Sequence, residues 1–210
     1  MFDFRVTDLL FRLPAIVVSL SFHEFSHGYS AYLLGDNTAR NMGRLSVNPL
    51  RHLDPFGFIS LLLFGFGWAK PVPVNPYAFR SVDGKTGMLL TAMAGPMSNI
   101  LLCFICVGAL SLIPLRVLYA ASWFYGFLTY MIWINASLAF FNLIPVPPLD
   151  GSKILFGLFP DRLYYAVSVL DRFGFLFLML LLMSGFPGLI LEPLSRGLIA
   201  SFYQFFRLFA

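Results

Sequence analysis

The sequence predicts an all-α integral membrane protein, a polytopic bundle of about four to six membrane helices with a small membrane-associated β-hairpin or re-entrant region. Composition carries the first part of that expectation. Of the 210 residues 59% are hydrophobic and only 11% charged, with a mean hydropathy of +0.80, which is too apolar for a surface that faces water on all sides. The second observation is spacing: apolar runs of membrane-crossing length recur between short polar gaps. The third is that some apolar and extended stretches are too short to cross a hydrocarbon core of about 30 Å as helices. At this length a single membrane-embedded domain over residues 1–210 is expected, its motif core at about 9–158 and its C-terminal helices at about 160–210.

The first run, Leu9 to Leu34, is long enough to span. Pro14 falls within its first two turns, where proline is tolerated, and Gly35-Asp36-Asn37 is a stop signal. The polar stretch from Thr38 to Val47 follows, and its short alternation suggests a strand or hairpin. Phe56 to Trp68 is apolar but short, which suits a re-entrant or interfacial segment. In AKPVPVNPY the alternation of Val and Pro favours an extended segment at a sheet edge. Met88 to Ile113 is a second span and Ala120 to Ile144 a third, which ends in the proline-rich NLIPVPPLDG. Ser152 to Phe159 reads as a short helix and Phe173 to Met183 as the centre of a fourth span, whose ends are ambiguous near Asp171 and Arg172. Leu189 to Ala210 carries Glu192, Arg196, Gln204 and Arg207, so both a fifth span and an interfacial amphipathic helix are open. Cys103 and Cys106 lie in an apolar run with no second pair, and read as small packing residues.

The net charge of +4 sits mainly between the apolar runs, which fits loops against anionic headgroups and excludes nucleic acid as a partner. Arg40, Arg44, Arg51, Lys70, Arg80 and Lys85 separate the first two full spans, Lys153 and Arg162 follow the third, and only Arg116 lies between the second and third. The bias places the first and last of these loops in the cytoplasm and the N-terminus outside.

His23, Glu24 and His27 form HEFSH. On a helix, imidazoles spaced i, i+4 share a face and can aim neutral nitrogens at one cation. The neighbouring glutamate then stands close enough to take a proton from water at the metal. Ionisable groups inside an apolar span are costly unless paired or metal-bound, which sharpens the pattern. A catalytic zinc commonly has three protein ligands and one open position. His52, in RHLDP, reads as a solvated loop residue. Asp150 is the better third candidate, since it follows Pro145, Pro147 and Pro148 at the end of the third span; its bland role is to cap the next helix, and the two roles can coexist.

HEFSH, AGPMSN and NLIPVPPLDG, in this order, resemble the site-2 protease family of intramembrane zinc metalloproteases. GRLSVNPLRHLDPFG and GWAKPVPVNP are similar to its small prokaryotic members without a PDZ domain. The resemblance covers about residues 20 to 155. It implies one Zn2+ held by His23, His27 and Asp150, Glu24 as general base, and Asn99 and Asn142 near the bound substrate. Gly95, one turn before Asn99, is expected beside them as a small residue that permits close helix approach. The expected reaction is hydrolysis of peptide bonds in or near transmembrane helices, with a substrate strand held along TARNMGRLSV or KPVPVNP. Of these, TARNMGRLSV, free of proline, is the better edge.

Expected partners are single-span membrane proteins and the lipid bilayer, with a homo-oligomer left open; the expected location is the prokaryotic inner membrane with the site toward the cytoplasm. The competing classes are a zinc-binding membrane protein without proteolysis, such as a metal transporter, and a scaffold that binds helices. A transporter calls for polar residues stepping across the whole bilayer, whereas here they cluster at one depth, and an intact Glu24 speaks against a scaffold.

Overall fold

A computed structural model describes residues 6–64, 67–159 and 173–209. Arg162, in the loop after the third span, and Asp171 and Arg172, near the fourth, lie outside the described residues. Among the described residues the elements are helices and turns: α1 (Val6–Leu33), α2 (Thr38–Asn41), a 3-10 turn (Pro49–Arg51), α3 (Pro55–Phe64), α4 (Gly84–Leu112), α5 (Leu115–Ala120), α6 (Ser122–Asn142), α7 (Asp150–Leu158), α8 (Gly174–Met183) and α9 (Phe186–Phe206).

α1 runs for 28 residues and α4 for 29. At 1.5 Å per residue each is about 42 Å long, more than a hydrocarbon core of about 30 Å requires. By length and apolarity α4 and α6 can cross a membrane, and α8 with most of α9 forms a third candidate bent by 81°. α1 is long enough but carries the histidines, a glutamate and serines in its C-terminal half, which dilute its apolar character. Leu101, Ile105, Trp123 and Trp133 are exposed, as an apolar surface facing lipid requires. The chain is an integral membrane protein of helices.

α1 stops where its sequence says it should. Gly35 donates to the Tyr32 carbonyl and Asp36 to that of Ala31, the paired bonds of a Schellman motif. The expected hairpin over Thr38 to Val47 is not formed. The Asp36 carboxylate accepts the Thr38 N–H at 2.9 Å and starts α2 instead. Gly43, at φ 65°, then closes it with a second Schellman motif, donating to Arg40 while Arg44 donates to Ala39. Local capping therefore outcompetes an alternation too short to pair with anything. The pairing that remains among the described residues is one isolated antiparallel bridge, Leu53 with Ala69. Phe56 to Trp68 begins as the short helix α3, ten residues from Pro55, too short to span.

α4 is the central helix and touches α1, α6, α7 and α9. Its N-cap, Asp83, accepts the Lys85 and Thr86 N–H groups and the Thr86 hydroxyl. Around its C-terminal half the buried core gathers Ala15, Val107, Leu128, Met131, Ile132, Ala136 and Ile199. Cys103 and Cys106 are free, buried members of this core, as their apolar run implies.

The bonds from Thr86 and Lys85 hold the Asp83 carboxyl below the ordinary carboxylate value. A depressed native pKa stabilises the fold above the unfolded value and ceases to do so as pH falls through the native one. Asp83→Ala should therefore lower the thermal midpoint in detergent at neutral pH, and Asp83→Asn, an equally good cap, should retain most of it. The gap between wild type and Asp83→Ala should close as the medium becomes strongly acidic, as followed by circular dichroism.

Candidate metal centre

One turn of α1 presents His23 and His27 on the face toward α4, at 4% and 8% exposure. Their Nδ1 atoms are committed. His27 Nδ1 lies 2.7 Å from the Thr91 carbonyl, which can only accept, so Nδ1 carries the proton. For His23 the same result follows through a buried chain of amides. Asn135 Nδ2 donates to the Met131 carbonyl and the Ser19 hydroxyl, each at 2.8 Å, which fixes the Asn135 amide and leaves its Oδ1 to accept from Asn99 Nδ2 at 2.8 Å. Asn99 Oδ1 is thereby turned to accept from His23 Nδ1 at 2.7 Å.

Both Nε2 atoms are then bare lone pairs, and they lie 3.0 Å apart. Asp150 opens α7 and brings Oδ2 within 3.1 Å of each. Three electron-rich atoms thus converge with no proton assigned between them, an arrangement that repels itself unless a cation joins it. Tetrahedral zinc with ligand bonds near 2.0–2.1 Å sets its ligand atoms about 3.3 Å apart, so the trio fits the ion with a small expansion. Among the described residues, this is the group of metal-ligating side chains whose atoms all lie within 4.8 Å of one another.

Two glycines allow the close packing. A Cβ on Gly95 would stand 2.4 Å from His27 Nε2 and 2.6 Å from His23 Cε1, so α4 can pass the imidazoles only without a side chain there. A Cβ on Gly151 would meet the Leu143 carbonyl oxygen at 2.3 Å, so this residue lets α7 start against the end of α6 and aims Asp150. Lys153 lies 3.6 Å from Asp150 Oδ1, with its side chain about half exposed.

The trio forms part of the wall of a cavity of about 560 Å³, together with Glu24, Val72, Asn142 and Lys153. Glu24 is half-buried, and its Oε2 accepts the Val72 N–H at 2.8 Å. Of the residues expected near substrate, Asn142 lies on the cavity wall, where its Nδ2 donates to Leu138. Asn99 does not: it is fully buried behind His23 and orients it, and Gly95 is packed against the imidazoles. The expectation of substrate contact there gives way to a role in holding the histidines. His52 is not a solvated loop residue either. It is 2% exposed and its Nε2 donates to the Ser46 carbonyl, away from the trio. Val72, Asn135 and Ser19 take part in the site although no sequence pattern marks them, because their roles run through a backbone N–H or through contacts between distant helices.

The pattern of Peptidase family M50 matches residues 114–181, the stretch that contains Asp150. "Putative zinc metalloprotease YwhC" of Bacillus subtilis is 38% identical over 189 residues, which cover 87% of this chain and 84% of that protein. The chain belongs to peptidase family M50. The site-2 protease resemblance of the three motifs is thus the family resemblance of the chain as a whole. "Putative zinc metalloprotease Rip2" of Mycolicibacterium smegmatis is 25% identical to this M50 peptidase, across 90% of the chain and 70% of the relative. "Putative zinc metalloprotease MJ0611" of Methanocaldococcus jannaschii is 30% identical across 73% of each chain. No solved structure matches the M50 chain.

Gly95→Ala should displace the imidazoles and lower stability by about 1–3 kcal/mol, the cost of overpacking a tight contact. Chemical denaturation in detergent, with metal content measured on the same sample, checks this. A stable variant with undiminished metal would contradict the close-packing account.

Proposed function

We propose that this chain is a zinc-dependent intramembrane endopeptidase that hydrolyses peptide bonds in or near the transmembrane helices of single-span substrates. His23, His27 and Asp150 hold the ion and Glu24 carries the proton. The observation behind this reading is the convergence of His23 Nε2, His27 Nε2 and Asp150 Oδ2 on one point of a cavity wall that Glu24 shares. Membership of a peptidase family gives the reaction class, and the relatives' names give the metal. The apolar helices around the cavity support a reaction at membrane depth.

Zinc, when bound, supplies a Lewis acid that polarises a carbonyl and makes water more acidic. The rest is the work of the chain. The Val72 N–H holds one oxygen of Glu24, and the other takes a proton from the water that attacks the scissile carbonyl carbon. Glu24 then delivers that proton to the amide nitrogen as its bond to carbon breaks, so the leaving amine departs neutral. A peptide bond still inside a helix is shielded by its own hydrogen bonds, so the substrate must enter unwound. The cavity wall from Trp68 to Val74 is irregular chain that faces such a segment, and Asn142 is placed to hydrogen-bond its backbone. The edge assigned to TARNMGRLSV gives way to this segment, because that stretch folds as α2 and a turn and does not line the cavity. The loop cations Arg40, Arg51, Lys70, Arg80 and Lys85 favour a cytoplasmic site in a prokaryotic inner membrane. The packing of α9 on α4 and α6 supports one membrane-embedded domain.

Glu24→Gln should abolish cleavage of a single-span model substrate by detergent-purified protein while zinc remains bound, since the residue carries protons and does not ligate. Equal loss of metal and activity would contradict that role. Asp150→Ala should lower zinc content and activity together. If Asp150→Ala kept its zinc and His52→Ala lost it, the third ligand would be His52.

A further inference from the structure

Arg44 is counted among loop cations by sequence, yet it is only 8% exposed. A buried guanidinium is costly to desolvate and is ordinarily found against a carboxylate. Among the described residues none pairs with it, and its Nε has no hydrogen-bond partner. Its charge is met by two backbone carbonyls instead: Nη2 donates to Lys70 O at 2.6 Å and to Pro71 O at 3.2 Å. Pro71 O belongs to the same peptide group as the Val72 N–H, and that N–H donates to Glu24 Oε2 at 2.8 Å. A continuous line therefore runs from the guanidinium through one peptide group to the carboxylate beside the metal centre. A cation on the carbonyl end of a peptide polarises its N–H and strengthens the bond it makes.

The rest of the segment is fixed around this line. The Lys70 N–H donates to the His52 carbonyl at 2.8 Å, Leu53 bridges to Ala69, and the Asn75 N–H reaches Asp36 Oδ2 at 2.7 Å. Val72 is buried against α1, where a Cβ on Gly28 would stand 3.1 Å from its Cγ1. Prolines at 71 and 73 restrict the backbone on either side. These ties hold the strap in place without Arg44. What Arg44 adds is charge on the peptide that donates to Glu24.

We propose that Arg44 is a positioning residue for Glu24, acting through the Pro71–Val72 peptide group to fix the carboxylate in the orientation that accepts the proton of the attacking water. This rests on Glu24 being the proton carrier. Loss of the relay leaves the metal trio and the cavity wall intact and costs the chemical step, so the deficit falls on kcat and not on KM.

The test uses the full chain purified in detergent with a single-span model substrate, and compares Arg44→Gln, Arg44→Lys, Val72→Pro and the double variant Arg44→Gln/Val72→Pro. Val72→Pro removes the N–H donor itself. A charge-assisted hydrogen bond of this kind corresponds to about ten- to hundredfold in rate. Arg44→Gln and Val72→Pro should each lower kcat by about that factor with zinc content unchanged, KM should be unchanged in Arg44→Gln, whose side chain is off the cavity wall, and Arg44→Lys should recover part of the loss. Both changes break one relay, so the double variant should be no slower than the slower single one. Normal kcat in both single variants, a rise in KM at unchanged kcat in Arg44→Gln, or activity lost in step with zinc would each overturn the proposal. Glu24→Gln separates the two levels. If it is inactive while Arg44→Gln and Val72→Pro are fully active, the relay alone falls; if it turns over normally, the role of Glu24 falls and the relay with it.

Discussion

Two bare imidazole nitrogens and a carboxylate oxygen meet within 3.1 Å of one another in a buried pocket between apolar helices. In water such a cluster would simply be solvated, whereas in a low-dielectric interior the same charges and lone pairs repel strongly. A divalent cation turns that repulsion into binding energy. The requirement for a cation at that point explains features of the fold that otherwise look wasteful: a long helix carrying ionisable groups, a glycine where two helices cross, and a helix that begins on an aspartate.

The helix packing is arranged to keep those three atoms still. Asn99 and Asn135 sit at 0% exposure between α1, α4 and α6, where a buried amide is tolerated only if its hydrogen bonds are made. Here they are made in one direction, starting from the Met131 carbonyl and ending on His23 Nδ1. The chain of bonds therefore does two things at once, joining three helices in a medium that gives little hydrophobic drive for helix association and selecting the tautomer that leaves Nε2 free. Glu24 is governed from the other side, by a strap outside the bundle. Ligands and proton carrier are thus supported by separate parts of the fold, so each can be disturbed without the other.

HEFSH and the aspartate of NLIPVPPLDG were legible because their chemistry is written in residue type and spacing, and because polar groups in an apolar run need a reason. The long helices were legible for the same reason of composition, and their boundaries fall within a few residues of the apolar runs. The hairpin was not. Thr38 to Val47 shows alternation, but Asp36 before it and Gly43 within it are capping residues, and a strand needs a partner that this short segment lacks. The burial of His52 and Arg44 is not legible for a related reason: burial of a loop side chain is decided by what folds over it, which local sequence does not encode. The functions of Gly95 and Asn99 were legible as "close to the site" but not as which side of the histidines they occupy, since that depends on how α4 is rotated against α1.

Zinc K-edge X-ray absorption of the detergent-purified protein tests the central claim most directly, because it reads the ligand atoms and not the activity. Two imidazole nitrogens at about 2.0–2.1 Å, one carboxylate oxygen at about 2.0–2.2 Å and one further light-atom ligand are the expected shell. A sulfur shell near 2.3 Å, which would point to Cys103 and Cys106, or a shell of three imidazoles, would contradict a centre built from His23, His27 and Asp150.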